Sequence, residues 1–392
     1  MKRRFVVVLA AMSAIVAACQ VLAGIGYVDK DTLATNPQPE GGTSPDGAPV
    51  IPDPCNHVRP EPEPETDDGR EEIAPFYLAL RAAYVGPRDG GVAGFDLDGV
   101  CTCDKRPNTH ADGGSTCTPK KPNADCDPAG GVDNQGSALF QQLEVAKVNI
   151  DEESDVNTSI ADGKGGLLIY ISGYNGKDND KEVFAGAMRS YGIVDGSGCG
   201  TDVGNTPGKY RPGWCGSDLW TYSNDLVKSG TKVPTTQAKG YVRNKMLVFE
   251  NDIATLFFGG STVDFVSPIT AGKLEKIDGK WTFKGTMSGR IGTTSLLRAV
   301  GSFGDPFDKS PLPDGGRRPF CNWPGFDAIR ASVCDAVDIS SSKSYDLTGG
   351  PCDAISSAVA FEAEEAQVGE EHHEDDGTSG CDPNAAVFKC DP

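Results

Sequence analysis

The feature that most constrains the fold is a series of short apolar runs between residues 166 and 289, each ended by turn-forming residues. Residues 166–172 (GLLIYIS) are rich in β-favouring side chains and run into a Gly-Tyr-Asn-Gly turn. Residues 245–250 (KMLVFE) and 253–258 (IATLFF) predict a hairpin, and Asp278-Gly279 predicts another turn. Connections this short join antiparallel strands, because parallel strands need long crossovers. The chain is therefore predicted to be mainly β.

The strand spacing predicts an antiparallel β-sandwich of the jelly-roll type, with disulfide-stapled loops, over residues 73–363. One or two peripheral helices are expected, because apolar residues recur at helical spacing in residues 137–150 and 326–339. Residues 354–363 alternate weakly and are expected to form the last strand. Residues 364–392 are predicted to be an acidic loop followed by a disulfide-bonded tail.

The N-terminus has the pattern of an export signal. Lys2, Arg3 and Arg4 precede an apolar run over residues 5–16, which ends in the small residues before Cys19. A run of about a dozen apolar residues is too short to cross a bilayer as a permanent helix. The sequence therefore predicts a signal peptide over residues 1–18.

The end of this signal, Val16-Ala17-Ala18-Cys19, resembles the lipobox of bacterial lipoproteins. The resemblance covers residues 1–20 and implies that Cys19 becomes the mature N-terminus, with diacylglycerol on its sulfur and an acyl chain such as palmitate on its nitrogen. Two or more chains anchor a protein stably, so the lipid bilayer is an expected partner. Because Gln20 rather than Asp follows the cysteine, the resemblance favours the outer membrane or the cell surface.

Residues 19–72 are predicted to form a disordered tether that begins at the lipidated cysteine. Pro, Glu, Gly, Asp and Thr dominate this segment, and charge repulsion keeps such a chain extended. The whole chain has 36 basic and 56 acidic residues, a net charge of −20. A surface this acidic repels phosphate groups, so nucleic acid is not an expected partner.

The chain has thirteen cysteines, and the twelve besides Cys19 predict six disulfides in an exported protein. Short sequence separations favour the pairs Cys199–Cys215, Cys321–Cys334 and Cys381–Cys390. We then expect Cys101 and Cys103 to reach Cys117 and Cys126, and the pair Cys55–Cys352 is assigned by elimination.

The distribution of histidine argues against many enzyme classes. The chain has four histidines, and none lies between residues 111 and 371. Ser-His-Asp sites, Cys-His sites and His-ligated zinc all need a positioned imidazole. The sequence contains no Gly-x-Ser-x-Gly, P-loop or His-Glu-x-x-His motif. A carboxylate pair can cleave glycosides without histidine, so a glycoside hydrolase or lyase remains an alternative.

The segment Asp96-Leu97-Asp98-Gly99 has carboxylates at alternate positions, which can point to one calcium ion. It is not an EF-hand, because Pro107 stands at the twelfth position. Another loop would have to complete the site, and the candidate ligands are Asp127, Asp133 and Asn134. The alternative is that Asp and Gly at these positions only form turns, so structural calcium is a candidate cofactor rather than an assigned one.

Five aromatic residues in predicted loops are candidates for stacking on a sugar ring: Tyr174, Tyr210, Trp214, Trp220 and Tyr222. The alternative is that Trp220 packs in the core. Taken together, the strand pattern, the acidic loops and these aromatic residues loosely resemble the arrangement found in lectin-like or laminin-G-like jelly rolls. The resemblance is architectural and covers about residues 75–363.

These features favour a non-catalytic, envelope-anchored lipoprotein whose domain binds a glycan or a protein partner or has a structural role. One alternative is the His-independent carbohydrate-active enzyme. The other is a divalent-metal-binding surface protein that uses the acidic loops, including the pair His372-His373.

Overall fold

The computed structural model describes residues 57–85, 92–102, 116–119, 127–128, 130–145, 152–202, 210–258, 261–305, 318–346, 349–372, 381–382 and 385–390. The predicted signal, Cys19 and residues 20–56 of the predicted tether lie outside these ranges.

The described residues form twelve strands, most of them in the second half of the chain. In chain order they are β1 Phe76–Tyr84, β2 Gly166–Ser172, β3 Asp180–Ser190, β4 Thr201–Asp202, β5 Tyr210–Arg211, β6 Leu219–Ser223, β7 Ala238–Arg243, β8 Met246–Glu250, β9 Ile253–Phe258, β10 Ser261–Ile277, β11 Lys280–Gly292 and β12 Ala354–His372.

Eight of these strands close into an antiparallel barrel in the order β1-β2-β3-β7-β8-β10-β11-β12. The ring is completed by β12, which pairs with β1 from Tyr77↔Ala366 to Tyr84↔Ala360. Strand β9 pairs with β10, β6 runs parallel to β12, and β4 and β5 form a separate ribbon. Closure pairs both edges of every ring strand, so the ring itself has no free edge.

Alternation of side chains along the strands produces the interior of the barrel. Leu78, Val183, Leu247 and Phe283 come from four strands, are fully buried, and belong to one cluster. Asp278 and Gly279 both have positive φ, 52° and 82°, as expected for a two-residue turn of type I′ between β10 and β11. The predicted β10–β11 hairpin is thus confirmed.

One end of the barrel is filled by aromatic side chains, which we call the aromatic plug: Phe76, Tyr174 and Trp281. The rings of Phe76 and Trp281 are stacked with centroids 5.0 Å apart, and Tyr174 lies 5.5 Å from Trp281. Each ring removes a large apolar area from water. The interior at this end is therefore packed.

Among the described residues, four α-helices accompany the barrel: α1 Gln135–Val145, α2 Glu152–Ala161, α3 Thr293–Ser302 and α4 Phe326–Asp335. Helix α2 is fastened to β1 by Asn157, whose side chain accepts a hydrogen bond from the Ala83 N–H and donates one to the Ala83 carbonyl, each at 2.8 Å. Within the part of the chain that is described, no helix is both long enough and apolar enough to cross a membrane.

The prediction of a mainly β, antiparallel fold is confirmed, but the strands do not form a sandwich of two sheets. The sheet closes on itself because β12 is long enough to pair with β11 on one side and β1 on the other. The predicted β8–β9 hairpin is also wrong, since β8 pairs with β7 and β10 instead. Residues 364–372, expected in an acidic loop, continue β12 and pair with β1 and β6.

Among the disulfides whose two cysteines are both described, one matches the prediction. Cys199–Cys215 is confirmed. The structure contains Cys321–Cys381 and Cys334–Cys390 instead of the two short-range pairs expected, because the C-terminal residues fold back over α3 and α4. Cys352 bonds with Cys117 rather than Cys55. Cys101 is disulfide-bonded, and the residues Cys55, Cys103 and Cys126 lie outside the described ranges.

The end of the predicted tether lies against the barrel. The side chain of Asp67 accepts a hydrogen bond from the Lys181 N–H at 2.7 Å, and Asp68 accepts one from the Asn179 N–H at 2.9 Å. The Glu61 carboxylate pairs with Arg243 at 3.0 Å. The part of the predicted tether from residue 57 onward therefore belongs to the folded domain.

We expect Trp281→Ala to lower the free energy of unfolding by about 3–5 kcal/mol, because it removes the centre of the aromatic plug and leaves a cavity. The matched control is Ile277→Ala on the same hairpin, where the side chain is 44% exposed and the change should stay within about 0.5 kcal/mol. Urea unfolding of the oxidised protein measures both. Equal effects for the two variants would contradict the packing described.

Candidate functional site

The end of the barrel opposite the aromatic plug encloses a cavity of about 730 Å³. Every barrel strand except β7 contributes to its lining. Small-molecule sites in proteins have volumes of roughly 300–1,000 Å³. This lumenal cavity is therefore large enough for a ligand and is the first candidate site.

The inner part of the lumenal cavity is apolar. Its lining includes Ile169, Phe249, Met287 and Phe361, all on strands of the barrel. Ala187 follows Val183 and Ala185 on the inward face of β3, yet Ala187 is exposed whereas the other two are buried. The interior side chains at this level are thus too small, or too far apart, to fill the space between the walls.

Two elements cover the open end of the cavity. Helix α2 contributes Val156, Ser159 and Ile160, and the β9 segment contributes Ile253 and Leu256. Ile253 is 57% exposed, so this part of the cover faces solvent as well as the cavity. The cover is therefore itself apolar and leaves an opening to solvent.

The charged residues of the lining, which are Lys164, Arg189 and Asp252, lie at this opening. We call these three residues, together with the exposed Ile253, the mouth. Lys164 is exposed and its Nζ lies 2.8 Å from a carboxylate oxygen of Asp162. The guanidinium of Arg189 lies 4.5 Å from the centroid of the Tyr191 ring. The mouth is polar where the inner cavity is not.

A second candidate site lies on the outer wall of the barrel, where residues 92–102 pack against β11. We call it the acidic cluster: Asp96, Asp98, Asp127, Asp133 and Asp338. Asp96, Asp98 and Asp133 each offer a carboxylate oxygen, and these oxygens lie within 4.8 Å of one another. Asp96 and Asp133 are buried, at 2% and 3% exposure. Oxygen ligands at such spacing suit a hard cation.

Main-chain N–H groups hold these carboxylates in place. Asp96 accepts a hydrogen bond from Gly99 at 2.6 Å, Asp133 accepts one from Leu97 at 2.6 Å, and Asp98 accepts one from Val100 at 2.9 Å. The side chain of His57 also bonds with the Asp96 carboxylate. The local fold thus fixes the positions of the carboxylates.

Burial raises the pKa of several of these groups, because a low dielectric disfavours the charged form. Burial, together with a smaller effect of the neighbouring Asp98 carboxylate, raises the pKa of Asp127 and of Asp338 from 3.8 to about 7. It also raises the pKa of Asp133 and of Asp96. The cluster therefore favours a bound proton or a bound cation.

The structure brings together most of the predicted calcium ligands. Asp96, Asp98 and Asp133 lie side by side, and Asp127 lies close enough to act on the pKa of Asp133. Asn134 does not join them: its side chain bonds with the main chain at Ala93, Ser137 and Ala358. Sequence reasoning missed Asp338, which follows α4 and has no spacing that relates it to Asp96.

The predicted sugar-stacking aromatics do not form one surface. Tyr174, Trp220 and Tyr222 are buried, and Trp220 is only 1% exposed. Tyr174 belongs to the aromatic plug, and Trp220 packs against Leu168 and Met188 on the outside of the barrel. Tyr210 and Trp214 are partly buried. The structure therefore agrees with the alternative that Trp220 packs in a hydrophobic core.

The sequence matches no protein-family model, no curated protein and no solved structure.

The acidic cluster predicts a pH-dependent stability. A raised carboxyl pKa means that the folded protein binds more protons than the unfolded chain between about pH 4 and pH 7, so without metal its stability should fall as the pH rises through this window. Above pH 7 a calcium ion would offset the negative charge of the buried, deprotonated carboxylates. We expect calcium, relative to a chelator, to raise the melting temperature by several degrees at pH 8 and little at pH 5.

The control pair for this melting experiment is Asp133→Asn, which should lose the calcium response, and Asp195→Asn, an exposed carboxylate outside the cluster, which should keep it. A calcium response that is the same at pH 5 and pH 8, or that survives Asp133→Asn, would contradict the assignment of the cluster.

Proposed function

We propose that this protein is an exported, lipid-anchored binding protein that holds an apolar small molecule in the lumen of its barrel. The observation that carries the proposal is the lumenal cavity of about 730 Å³ with an apolar inner lining. Apolar surface left in contact with water is unfavourable, by roughly 25 cal/mol per Å². An apolar ligand that replaces this water is stabilised in the cavity.

The contrast between the two ends of the barrel supports this proposal. The aromatic plug shows that the chain can fill a barrel of this width with its own side chains. At the other end it places Ala187 on the inward face of β3 and leaves the space open. Eight-stranded barrels are about the size that can either be filled by side chains or hold one small ligand.

Anchoring is the second part of the proposal. Cys19 would carry the acyl chains, and residues 20–56 would connect the barrel to the outer membrane or the cell surface. A ligand-binding domain held near a bilayer has a local source of apolar molecules. Cys19→Ser should move the protein from the detergent-soluble membrane fraction to the aqueous fraction of a bacterial host, and an unchanged distribution would overturn the anchoring.

The acidic cluster supports a second role, a structural calcium site on the outer wall. Its carboxylates come from the 92–102 loop, from residues 127–133 and from Asp338 after α4. An ion there would join the segments around Asp98 and Asp133 to Asp338, which is more than 200 residues away in the sequence. This role stabilises the barrel and is compatible with ligand binding in the lumen.

The carbohydrate-active alternatives have less support. Glycosidases place two carboxylates about 5–10 Å apart across a substrate groove. Asp96 and Asp133 are buried, so a sugar cannot reach them. Among the described residues of the lumenal cavity, Asp252 is the single carboxylate.

Titration with N-phenyl-1-naphthylamine, a neutral apolar dye whose fluorescence rises in apolar surroundings, tests the lumenal site. We expect saturable, one-to-one binding to the oxidised protein. Ala187→Trp should weaken the binding at least about tenfold, because the indole occupies the space between the walls.

The matched control is Ala331→Trp, which adds the same side chain at an exposed position of α4. It should leave dye binding unchanged. Circular dichroism and melting curves of both variants show whether each is folded. No saturable binding by the wild-type protein, or equal binding by the Ala187→Trp variant when it is folded, would overturn the proposal.

A further inference from the structure

We infer that the lumenal ligand is an anionic amphiphile, whose apolar chain lies in the cavity and whose acidic head group lies at the mouth beside Lys164 and Arg189. This inference rests on the proposed function and adds the chemical class of the ligand. It follows from where the charges of the lining lie.

The two cations share one side of the mouth. Arg189 is near the end of β3 and is paired across the sheet with Leu167 of β2. Lys164 lies in the turn between α2 and β2, three residues before Leu167. Both side chains border the same cavity. A head group that enters between α2 and the β2–β3 pair therefore meets both positive charges.

The carboxylate nearest to Lys164 does not cancel this charge. Asp162 bonds with Lys164 and also with Arg211, whose Nη2 lies 2.8 Å from its Oδ1. The hydrogen bond from Lys164 lowers the pKa of Asp162 most, and the hydrogen bond from Arg211 lowers it further. One negative charge is thus shared between two cations, and the group of three remains positive.

The one carboxylate of the described lining, Asp252, lies on a different element from the two cations: it follows β8, which is two strands from β3 in the ring. It is exposed in the turn between β8 and β9, so water screens it. Acidic residues outnumber basic ones by 56 to 36 in this chain. A pair of cations on one side of an apolar cavity therefore departs from the character of the whole surface, which otherwise repels anions.

The head group of the ligand can lie only where the cavity has charged side chains, which is at the mouth and not in the inner part. The inner lining at Ile169, Phe249, Met287 and Phe361 has no charged side chain. Burying an ionised carboxylate there would be very costly without a partner. The apolar part of the ligand therefore occupies the inner cavity, and the charged part stays at the opening, where charge-assisted hydrogen bonds to Lys164 and Arg189 can form.

Displacement of bound N-phenyl-1-naphthylamine by three ligands of equal chain length tests the inference: dodecanoate, dodecanol and dodecyltrimethylammonium. Each is used at pH 8 below the concentration at which it forms micelles. We expect dodecanoate to bind about tenfold more tightly than dodecanol, and the ammonium compound to bind most weakly. The preference for dodecanoate should fall as salt is added.

The double variant Lys164→Gln, Arg189→Gln should reduce the ratio of the dodecanoate affinity to the dodecanol affinity from about ten to about one. Lys284→Gln, a lysine on the outside of β11 paired with Glu362, is the matched control and should keep the preference. Circular dichroism and a melting curve show whether the double variant is folded.

The outcomes separate the two levels of the proposal. If the dye itself does not bind, the lumenal site fails. If the dye binds but dodecanol competes as well as dodecanoate, or if the double variant keeps the wild-type preference, the lumenal site stands and the anionic head group is wrong.

Discussion

The pairing of β12 with β1 is the interaction on which the rest of the structure depends. It joins Tyr77 to Ala366 and Tyr84 to Ala360 across almost the whole described chain. Without it, the meander would be an open sheet with two free edges and one apolar face exposed to water. With it, the sheet encloses an interior, and the side chains that face inward decide whether this interior is filled or open.

The two ends of the interior are built differently from the same strands. Large aromatic residues pack at one end, whereas Ala187 and widely spaced apolar side chains line the other. Protein interiors are usually packed as densely as organic crystals. A lumenal cavity of about 730 Å³ is therefore a departure that the fold sustains through its closed wall and through the attachment of α2 by Asn157.

The outer wall carries the second departure from ordinary packing. Carboxylates of the acidic cluster are buried where the loop of residues 92–102 covers β11, and Arg290 of that strand is also buried and bonds with Leu97 and Asp346. The disulfide Cys117–Cys352 ties the same region to the start of β12. A cation in the cluster would add to these links, and it would act on a wall of the barrel rather than on the mouth of the cavity.

The sequence allowed local features to be predicted and left long-range ones open. The strand at residues 166–172 and the turn at Asp278-Gly279 could be predicted, because residue preferences and turn residues are local signals. Closure could not, since it pairs β1 with β12 and no local signal encodes that contact. The acidic appearance of residues 364–372 concealed a strand whose backbone pairs with β1 and β6.

The residues of the candidate sites also divide into those with a local sequence signal and those that only the fold brings together. Asp96 and Asp98 were identified from their spacing, whereas Asp338 joins them only through the fold. The lumenal cavity had no sequence signal at all, because its lining comes from seven barrel strands, with one or a few residues from each. Small residues such as Ala187 become informative only when their direction and their neighbours across the barrel are known.

The most direct test of the account is a crystal structure of the oxidised domain with a bromine-labelled alkyl carboxylate. Anomalous scattering locates the bromine without reference to the rest of the map. We predict one bromine site inside the barrel, between Phe249, Met287 and Phe361, with the carboxylate at the mouth near Lys164. A bromine bound only on the outer surface, or an interior filled by the protein's own side chains, would contradict it.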